Sequence, residues 1–363
     1  MLPEFDNTEI AFKYKSTSDL RKAQFLFSSM ASPIITKVGL ALTNFSIKAG
    51  LPIKGLIKAT IFKQFCGGES MEEAEFDKAV PEFIRVIKYA ASKKNIPFIS
   101  LKITGFARFG LMEKVHSGAV LTSEEKAEWE RVYGRINQIC EVAYRDKVMV
   151  LIDAEETWIQ NAVNELVDPL MEQYNREEAI IFNTFQLYCH GTLPYLKEAI
   201  EIAESKGYIL GAKLVRGAYM EKERARALAM GYSSPIQPDK ESTDRDYDEA
   251  VVRCLARLDR LAVFIGTHNE KSCLIAAKYM DDHNIPHNHS RVWFSQLFGM
   301  SDNITYNMAH EGYNVTKYLP YGPVKDVIPY LMRRAQENTS VAGQTGRELG
   351  LINKELKRRR AAR

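Results

Sequence analysis

Seven short apolar runs recur along the chain, each closed by polar residues or glycine, and this repetition limits the fold more than any other feature. The runs are 97–105 (PFISLKITG), 147–155 (KVMVLIDAE), 179–188 (AIIFNTFQLY), 208–217 (YILGAKLVRG), 261–268 (LAVFIGTH), 291–299 (RVWFSQLFG) and 314–322 (NVTKYLPYG). Each is a few residues long and rich in Val, Ile, Leu and Phe, which suits strands buried on both faces of a parallel sheet. Segments of helical character lie between most of them, at 122–145, 157–174, 193–206, 219–231, 246–260 and 269–282. Such alternation predicts an α/β protein. Seven strands, with an eighth that the pattern does not locate, favour a closed (β/α)8 barrel. The alternative, an open doubly wound sheet, would usually bring a Gly-rich dinucleotide turn after its first strand. Here that strand ends in Thr104-Gly105-Phe106-Ala107-Arg108, and neither GxGxxG nor GxxxxGK[ST] occurs.

A chain of 363 residues, 45% hydrophobic and 26% charged, can bury a large core and is not expected to be disordered. A net charge of +3 gives no reason to expect nucleic acid as a partner. The five cysteines (Cys66, Cys140, Cys189, Cys254 and Cys273) show no CxxC spacing, which points to a reducing compartment. The start carries Glu4, Asp6 and Glu9 and no apolar run, so neither a signal nor a transit peptide is expected. No transmembrane helix is expected either. The expected location is cytoplasmic.

Three regions are expected: a helical arm over 1–70, the barrel over 71–345 and a basic tail over 346–363. Between Asp19 and Glu69 there is no acidic residue, while Arg21, Lys22, Lys37, Lys48, Lys54, Lys58 and Lys63 are spread among apolar ones. The arm either touches the inner face of an anionic membrane or packs on the barrel with its lysines solvated. The segment 231–248 (GYSSPIQPDKESTDRDYD) reads as a long loop.

The ends of the runs are polar in a way that a core would not require. Lys102 lies in the first, Asp153 and Glu155 end the second, and Asn183 and Gln186 belong to the third. Lys213 and Arg216 belong to the fourth, Thr267, His268 and Asn269 end the fifth, Ser295 and Gln296 the sixth, and Tyr318 the seventh. In a barrel these ends gather at one mouth, where active sites are built. Asp153 or Asn269 could instead cap a following helix. Lys102 and Lys213 are harder to explain that way, because buried lysines need partners. Further on, Tyr330-Leu331-Met332-Arg333-Arg334-Ala335-Gln336-Glu337-Asn338 places Arg333 and Glu337 on one helix face. Paired guanidinium groups suit a carboxylate, and the glutamate could hold one of them or meet an amine. An exposed salt-bridge face is the ordinary alternative. His283, His287 and His289 read as a loop, not a metal site, because Pro286 interrupts their spacing.

Several of these stretches together resemble the proline dehydrogenase family. Tyr318-Leu319-Pro320-Tyr321-Gly322 followed by the Tyr330–Asn338 stretch is similar to that family's signature. Lys213-Leu214-Val215-Arg216-Gly217-Ala218-Tyr219 resembles its flavin-binding strand. Leu151-Ile152-Asp153-Ala154-Glu155, Thr267-His268-Asn269 and Gln296-Leu297-Phe298-Gly299-Met300 match in the same order. The resemblance runs from about Pro97 to Asn338 and is nearer to the eukaryotic-type branch than to the large bifunctional bacterial proteins.

The resemblance implies a distorted (β/α)8 barrel that binds FAD and oxidises L-proline to 1-pyrroline-5-carboxylate, with the last helix over the mouth. It implies that Arg333 and Arg334, helped by Lys102, meet the substrate carboxylate. Tyr318 and Tyr330 would wall the ring, and Glu337 would orient an arginine or the amine. Asp153 and Ala154 would lie by flavin and substrate. Val215, Arg216, Gly217, Ala218 and Tyr219 would hold the flavin and its phosphates, and His268, Asn269, Gln296 and Leu297 other parts of FAD. Gln186 is counted with the cofactor residues. Lys213 stands where many bacterial members have Arg, and Asn183 is read as standing where they have Gln, both near the isoalloxazine; Lys213 would supply the cation beside it. A quinone is the implied electron acceptor. Dehydrogenation of hydroxyproline is the near alternative, with Tyr318 leaning against it. A Schiff-base aldolase using Lys102 or Lys213 is the remote one.

Overall fold

A computed structural model of the chain describes residues 57–63, 73–298, 300–321 and Arg360. Eight parallel strands close into a barrel in chain order. They are β1 (Ile57–Lys63), β2 (Phe98–Lys102), β3 (Met149–Asp153), β4 (Ile181–Gln186), β5 (Leu210–Val215), β6 (Leu261–Gly266), β7 (Val292–Leu297) and β8 (Val315–Tyr321). The described helices are α1 (Glu73–Ala91), α2 (Phe109–His116), α3 (Ser123–Arg145), α4 (Gln160–Tyr174), α5 (Thr192–Lys206), α6 (Met220–Met230), α7 (Lys240–Leu255), α8 (Glu270–Asp282) and α9 (Asp302–His310). The chain divides into two compact units, Leu40–Leu319 and Met1–Gly39 with Pro320–Arg363, and nearly all of the barrel belongs to the first.

The expected barrel is present, and its eighth strand is β1, which pairs with β2 through Thr60↔Phe98 and Ile61↔Ile99. This corrects the reading of 1–70 as wholly helical. Ile57, Thr60 and Ile61 are β-branched and favour a strand, but Lys58 and Lys63 flank a very short apolar run and hide the pattern. The expected loop over 231–248 is also shorter than its composition suggests. Asp239 accepts a hydrogen bond from the Ser242 backbone N–H at 2.7 Å and starts α7 at Lys240. The segment expected to form the last helix, with Tyr330, Arg333, Arg334 and Glu337, lies outside the described residues, as do the rest of the expected N-terminal arm and the basic tail apart from Arg360.

Side chains alternate between the barrel interior and the helix layer. The interior begins with an apolar floor, four of whose side chains are aromatic: Phe98, Phe182, Phe264 and Trp293, with Leu151 among them. Phe98 meets Phe182, Phe264 and Trp293 edge-on at 5.8, 4.9 and 5.0 Å between centroids. Each such contact contributes about 0.5–1.5 kcal/mol beyond burial. Gly211 makes room for this floor, since a Cβ there would stand 2.2 Å from the Ile181 carbonyl oxygen and 2.9 Å from the Phe182 ring. Two residues further along the strands the interior turns polar, so the site can only lie toward their carboxyl ends. No helix among the described residues is long and apolar enough to cross a membrane.

Candidate active site

Above the floor, β2, β3, β5 and β8 each supply one polar side chain to a single cluster. Asp153, the last residue of β3, is its centre and is buried. Its Oδ1 accepts from Lys213 Nζ at 2.5 Å and from Ser100 Oγ at 2.7 Å, and its Oδ2 accepts from Tyr318 Oη at 2.6 Å. Tyr318 Oη also lies 3.1 Å from Ser100 Oγ, and Lys213 Nζ stands 4.9 Å from the centre of the Tyr318 ring. A buried lysine thus has both a carboxylate and an aromatic face, which offsets the cost of removing its charge from water.

A second cluster stands at the outer rim of the same strands. Lys102 Nζ donates to Glu155 Oε2 at 3.1 Å and to Tyr219 Oη at 2.6 Å. The other oxygen of Glu155 accepts from Thr104 Oγ1 at 2.8 Å, and its backbone carbonyl accepts from Gln186 Nε2 at 2.7 Å. Burial pushes the Lys102 ammonium down, but Glu155, Tyr219 and Asp153 outweigh it and hold the group above its ordinary value.

After β5 the chain turns through Gly217, with φ of +146°, where a Cβ would fall 2.3 Å from the Tyr188 ring. Only glycine suits such a position. Gly217 and Ala218 are exposed, and Val215 and Tyr219 are half-buried beside them. Arg216 reaches away from the interior. Its Nε donates to Asp244 Oδ1 at 2.8 Å, Nη1 to Thr267 Oγ1 at 2.8 Å and Nη2 to Ser272 Oγ at 3.0 Å, and its guanidinium lies over Tyr247 at 4.2 Å. His268 Nδ1 is 2.9 Å from Ser301 Oγ. Ala154 and Leu297 are half-buried at the ends of β3 and β7.

Three residues point elsewhere than the expected roles require. Phe182 faces the interior, so Thr184 and Gln186 share its face and Asn183 does not. The Asn183 amide donates to Asn164 on α4 at 3.0 Å. Asn183 is therefore corrected to the helix layer, and Gln186 is the interior amide of β4. Gln296 likewise lies opposite Trp293 in the strand alternation; it donates to the Thr267 carbonyl at 3.2 Å and accepts from Thr305 on α9 at 2.9 Å. The Asn269 side chain caps α8, accepting from the backbone of Lys271 and Ser272 at 2.9 and 3.3 Å. The histidines of 283–289 separate: His283 stacks on Tyr279, His287 meets Asp281 and the Glu311 carbonyl, and His289 accepts from the Arg291 backbone N–H.

Lys102, Asp153, Lys213, Tyr219 and Tyr318, expected from the sequence, thus fall into two adjoining clusters. Ser100 and Thr104 were missed, and Glu155 was noticed at a strand end but given no role. Ser100 had one usable signal, its position two residues before Lys102 on the same face.

A family model described as proline dehydrogenase matches residues 57–347. The Caenorhabditis elegans protein named "Proline dehydrogenase 1, mitochondrial" is 39% identical over 244 residues, which is 66% of this chain and 40% of that protein. The carbapenem antibiotics biosynthesis protein CarD of Pectobacterium carotovorum subsp. carotovorum is 35% identical over 288 residues, covering 79% of this chain and 74% of its own. Among solved structures, proline utilization A from Bdellovibrio bacteriovorus aligns with a TM-score of 0.73 at 19% identity, over 90% of this chain and 34% of that one, and so shares the fold. The match from β1 to beyond β8, on a barrel of this form, places the chain in the proline dehydrogenase family.

Proposed function

We propose that the chain is a flavin-dependent proline dehydrogenase that oxidises L-proline to 1-pyrroline-5-carboxylate, the first step of proline catabolism. The observation that carries this reading is the Asp153 cluster: a lysine, a tyrosine and a carboxylate locked together over an apolar floor at the carboxyl end of a parallel barrel.

The residues at the mouth suit FAD. Lys213 brings a cation to the interior face, Arg216 another to the rim, and Gly217 and Ala218 expose backbone that an anionic group can approach. FAD bound there would supply the hydride acceptor. The chain's own residues do the rest. Lys102, with Arg333 and Arg334, anchors the substrate carboxylate and so fixes the ring. Tyr318 and Tyr330 wall that ring, and Glu337 orients an arginine or the amine. Asp153 holds Lys213 and Tyr318 in one geometry, and Gln186, Val215 and Tyr219 border the cofactor. The secondary amine must lose its proton before hydride can leave, so turnover rises with pH until that proton is gone.

A Schiff-base aldolase would need an uncharged lysine. Lys102 is held in its charged form and Lys213 is clamped by Asp153, which speaks against that chemistry. Between proline and a hydroxylated proline, the phenol of Tyr318, pinned by Asp153, occupies space that a ring hydroxyl would need. A membrane quinone is the proposed acceptor, reached through the basic residues of the first 70; dye-linked turnover indifferent to lipid vesicles and ubiquinone analogues would refute that part.

The deciding experiment is the visible spectrum of the purified protein before and after anaerobic addition of proline. A flavin spectrum that bleaches is expected. A colourless protein, or a flavin that proline leaves oxidised, would overturn the proposal.

A further inference from the structure

Glu155 belongs to no step described above, yet three groups converge on it, and a fourth meets the lysine that it holds. Lys102 ends β2, Thr104 lies in the turn that follows, Gln186 ends β4 and Tyr219 precedes α6. The carboxylate takes one hydrogen bond from Lys102 and one from Thr104, its backbone carbonyl takes one from Gln186, and Tyr219 shares the Lys102 ammonium. Glu155 is 6% exposed and Lys102 half-buried, so the pair is largely withdrawn from water.

We infer that Glu155 is a positioning residue that keeps Lys102 cationic and aimed into the mouth across the pH range in which the substrate amine sheds its proton. The inference rests on the functional reading above, in which Lys102 meets the substrate carboxylate.

The physical problem is a conflict of pH requirements. Hydride loss needs a neutral secondary amine, which alkaline conditions favour. A buried lysine anchor tends to lose its charge under those same conditions, because burial penalises the ammonium. Of the groups facing Lys102, Glu155 is the largest influence in the opposite direction, followed by Tyr219 and Asp153. Asp153 is already shared with Lys213 and Tyr318, and Glu156, also near Tyr219, pairs with Lys222. Glu155 is therefore the countercharge that Lys102 has most nearly to itself. Thr104 holds the carboxylate turned toward it.

The test measures binding, not turnover, of a cyclic carboxylic acid that lacks the ring nitrogen, such as tetrahydrofuran-2-carboxylate, by calorimetry on the intact holoprotein from pH 7 to 10. The unsubstituted protein should bind it with nearly constant affinity. Glu155→Gln keeps the shape and the Thr104 contact but removes the charge, and its affinity should fall as pH rises, by up to about tenfold per pH unit. Glu155→Asp, which restores the charge, should return the flat profile even if binding is weaker throughout. A flat profile for Glu155→Gln, beside a binding-competent parent, would overturn the inference alone. A merely structural role would lower affinity equally at every pH, and that result too would overturn it. Failure of the unsubstituted protein to bind the acid at any pH would overturn the functional reading and this inference together.

Discussion

Tyr318 and Asp153 are 165 positions apart in the sequence, yet the Tyr318 phenol donates to Asp153 Oδ2 at 2.6 Å, closing the last strand of the barrel against the third. The same carboxylate holds Lys213, so one side chain governs both a ring wall and a cation. Asp153→Ala should leave that lysine buried without its countercharge and cost about 3–5 kcal/mol of stability. Tyr318→Phe removes the hydrogen bond to this carboxylate and the 3.1 Å contact with Ser100, leaves the Lys213–Asp153 pair intact, and should cost about 1.5–3 kcal/mol. Urea unfolding of both variants checks the order, and equal losses would contradict Asp153 as the hub.

Tyr318→Ser should open the ring pocket. Activity toward a hydroxylated proline should appear while kcat/KM for proline falls. Steady-state kinetics with both substrates test this, and a variant that gains nothing would place the tyrosine elsewhere.

Arg333→Ala and Arg334→Ala should each raise KM for proline by one to three orders of magnitude, because losing one partner of a desolvated charge pair costs roughly 2–5 kcal/mol. An unchanged KM would remove that arginine from the substrate site.

Gly217→Ala should be poorly tolerated. The new methyl would collide with the Tyr188 ring, and a φ of +146° is closed to alanine. A penalty of about 1–3 kcal/mol is expected, together with a lower ratio of flavin to protein absorbance. Gln186→Ala should likewise reduce flavin retention, whereas Asn183→Ala should act on stability and leave the flavin ratio unchanged. Flavin loss in Asn183→Ala alone would reverse the assignment of faces on β4.

Asp168, on α4 and hydrogen-bonded by Tyr195 of α5, carries a pH dependence of its own. Burial raises its carboxyl from the ordinary 3.8 to about 6, against the opposing pull of Tyr195, Lys206 and Asn183. The folded state therefore binds this proton more tightly than the unfolded chain does. Its contribution is greatest below pH 3.8 and is lost as pH rises through about 6, a span of about 2–3 kcal/mol. Asp168→Asn should raise the urea midpoint at pH 8 relative to the parent and flatten the dependence between pH 4 and 7. A variant with the parent's pH profile would show that Asp168 is not the titrating group.

The strand ends were legible because their residue types are costly to bury. A lysine at 102 or 213 inside an apolar run calls for a partner, and an aspartate at 153 offers one. Ser100 and Thr104 were not legible, since small hydroxyl residues occur in strands for many reasons. Glu155 was visible but had no role, because its partners come from three other segments. β1 escaped notice because its lysines gave it the look of the basic stretch around it. Asn183 and Gln186 were both read as cofactor neighbours, and one of them faces the helices.

The order of residues along the chain is enough to specify the architecture: apolar runs of strand length, alternating with helical segments and lacking a dinucleotide turn, leave a parallel barrel with polar strand ends. That information is local, since it depends only on spacing within each element. Which polar residues face the interior, and which of those meet, is set only when the strands pair and the barrel closes. The pairing of Lys102 with Asp153 across the β2–β3 ladder, and the reach of Tyr318 to Asp153, depend on register and closure. A shift of one residue in any strand would turn its polar groups to the opposite face, and no stretch of sequence read alone records that choice.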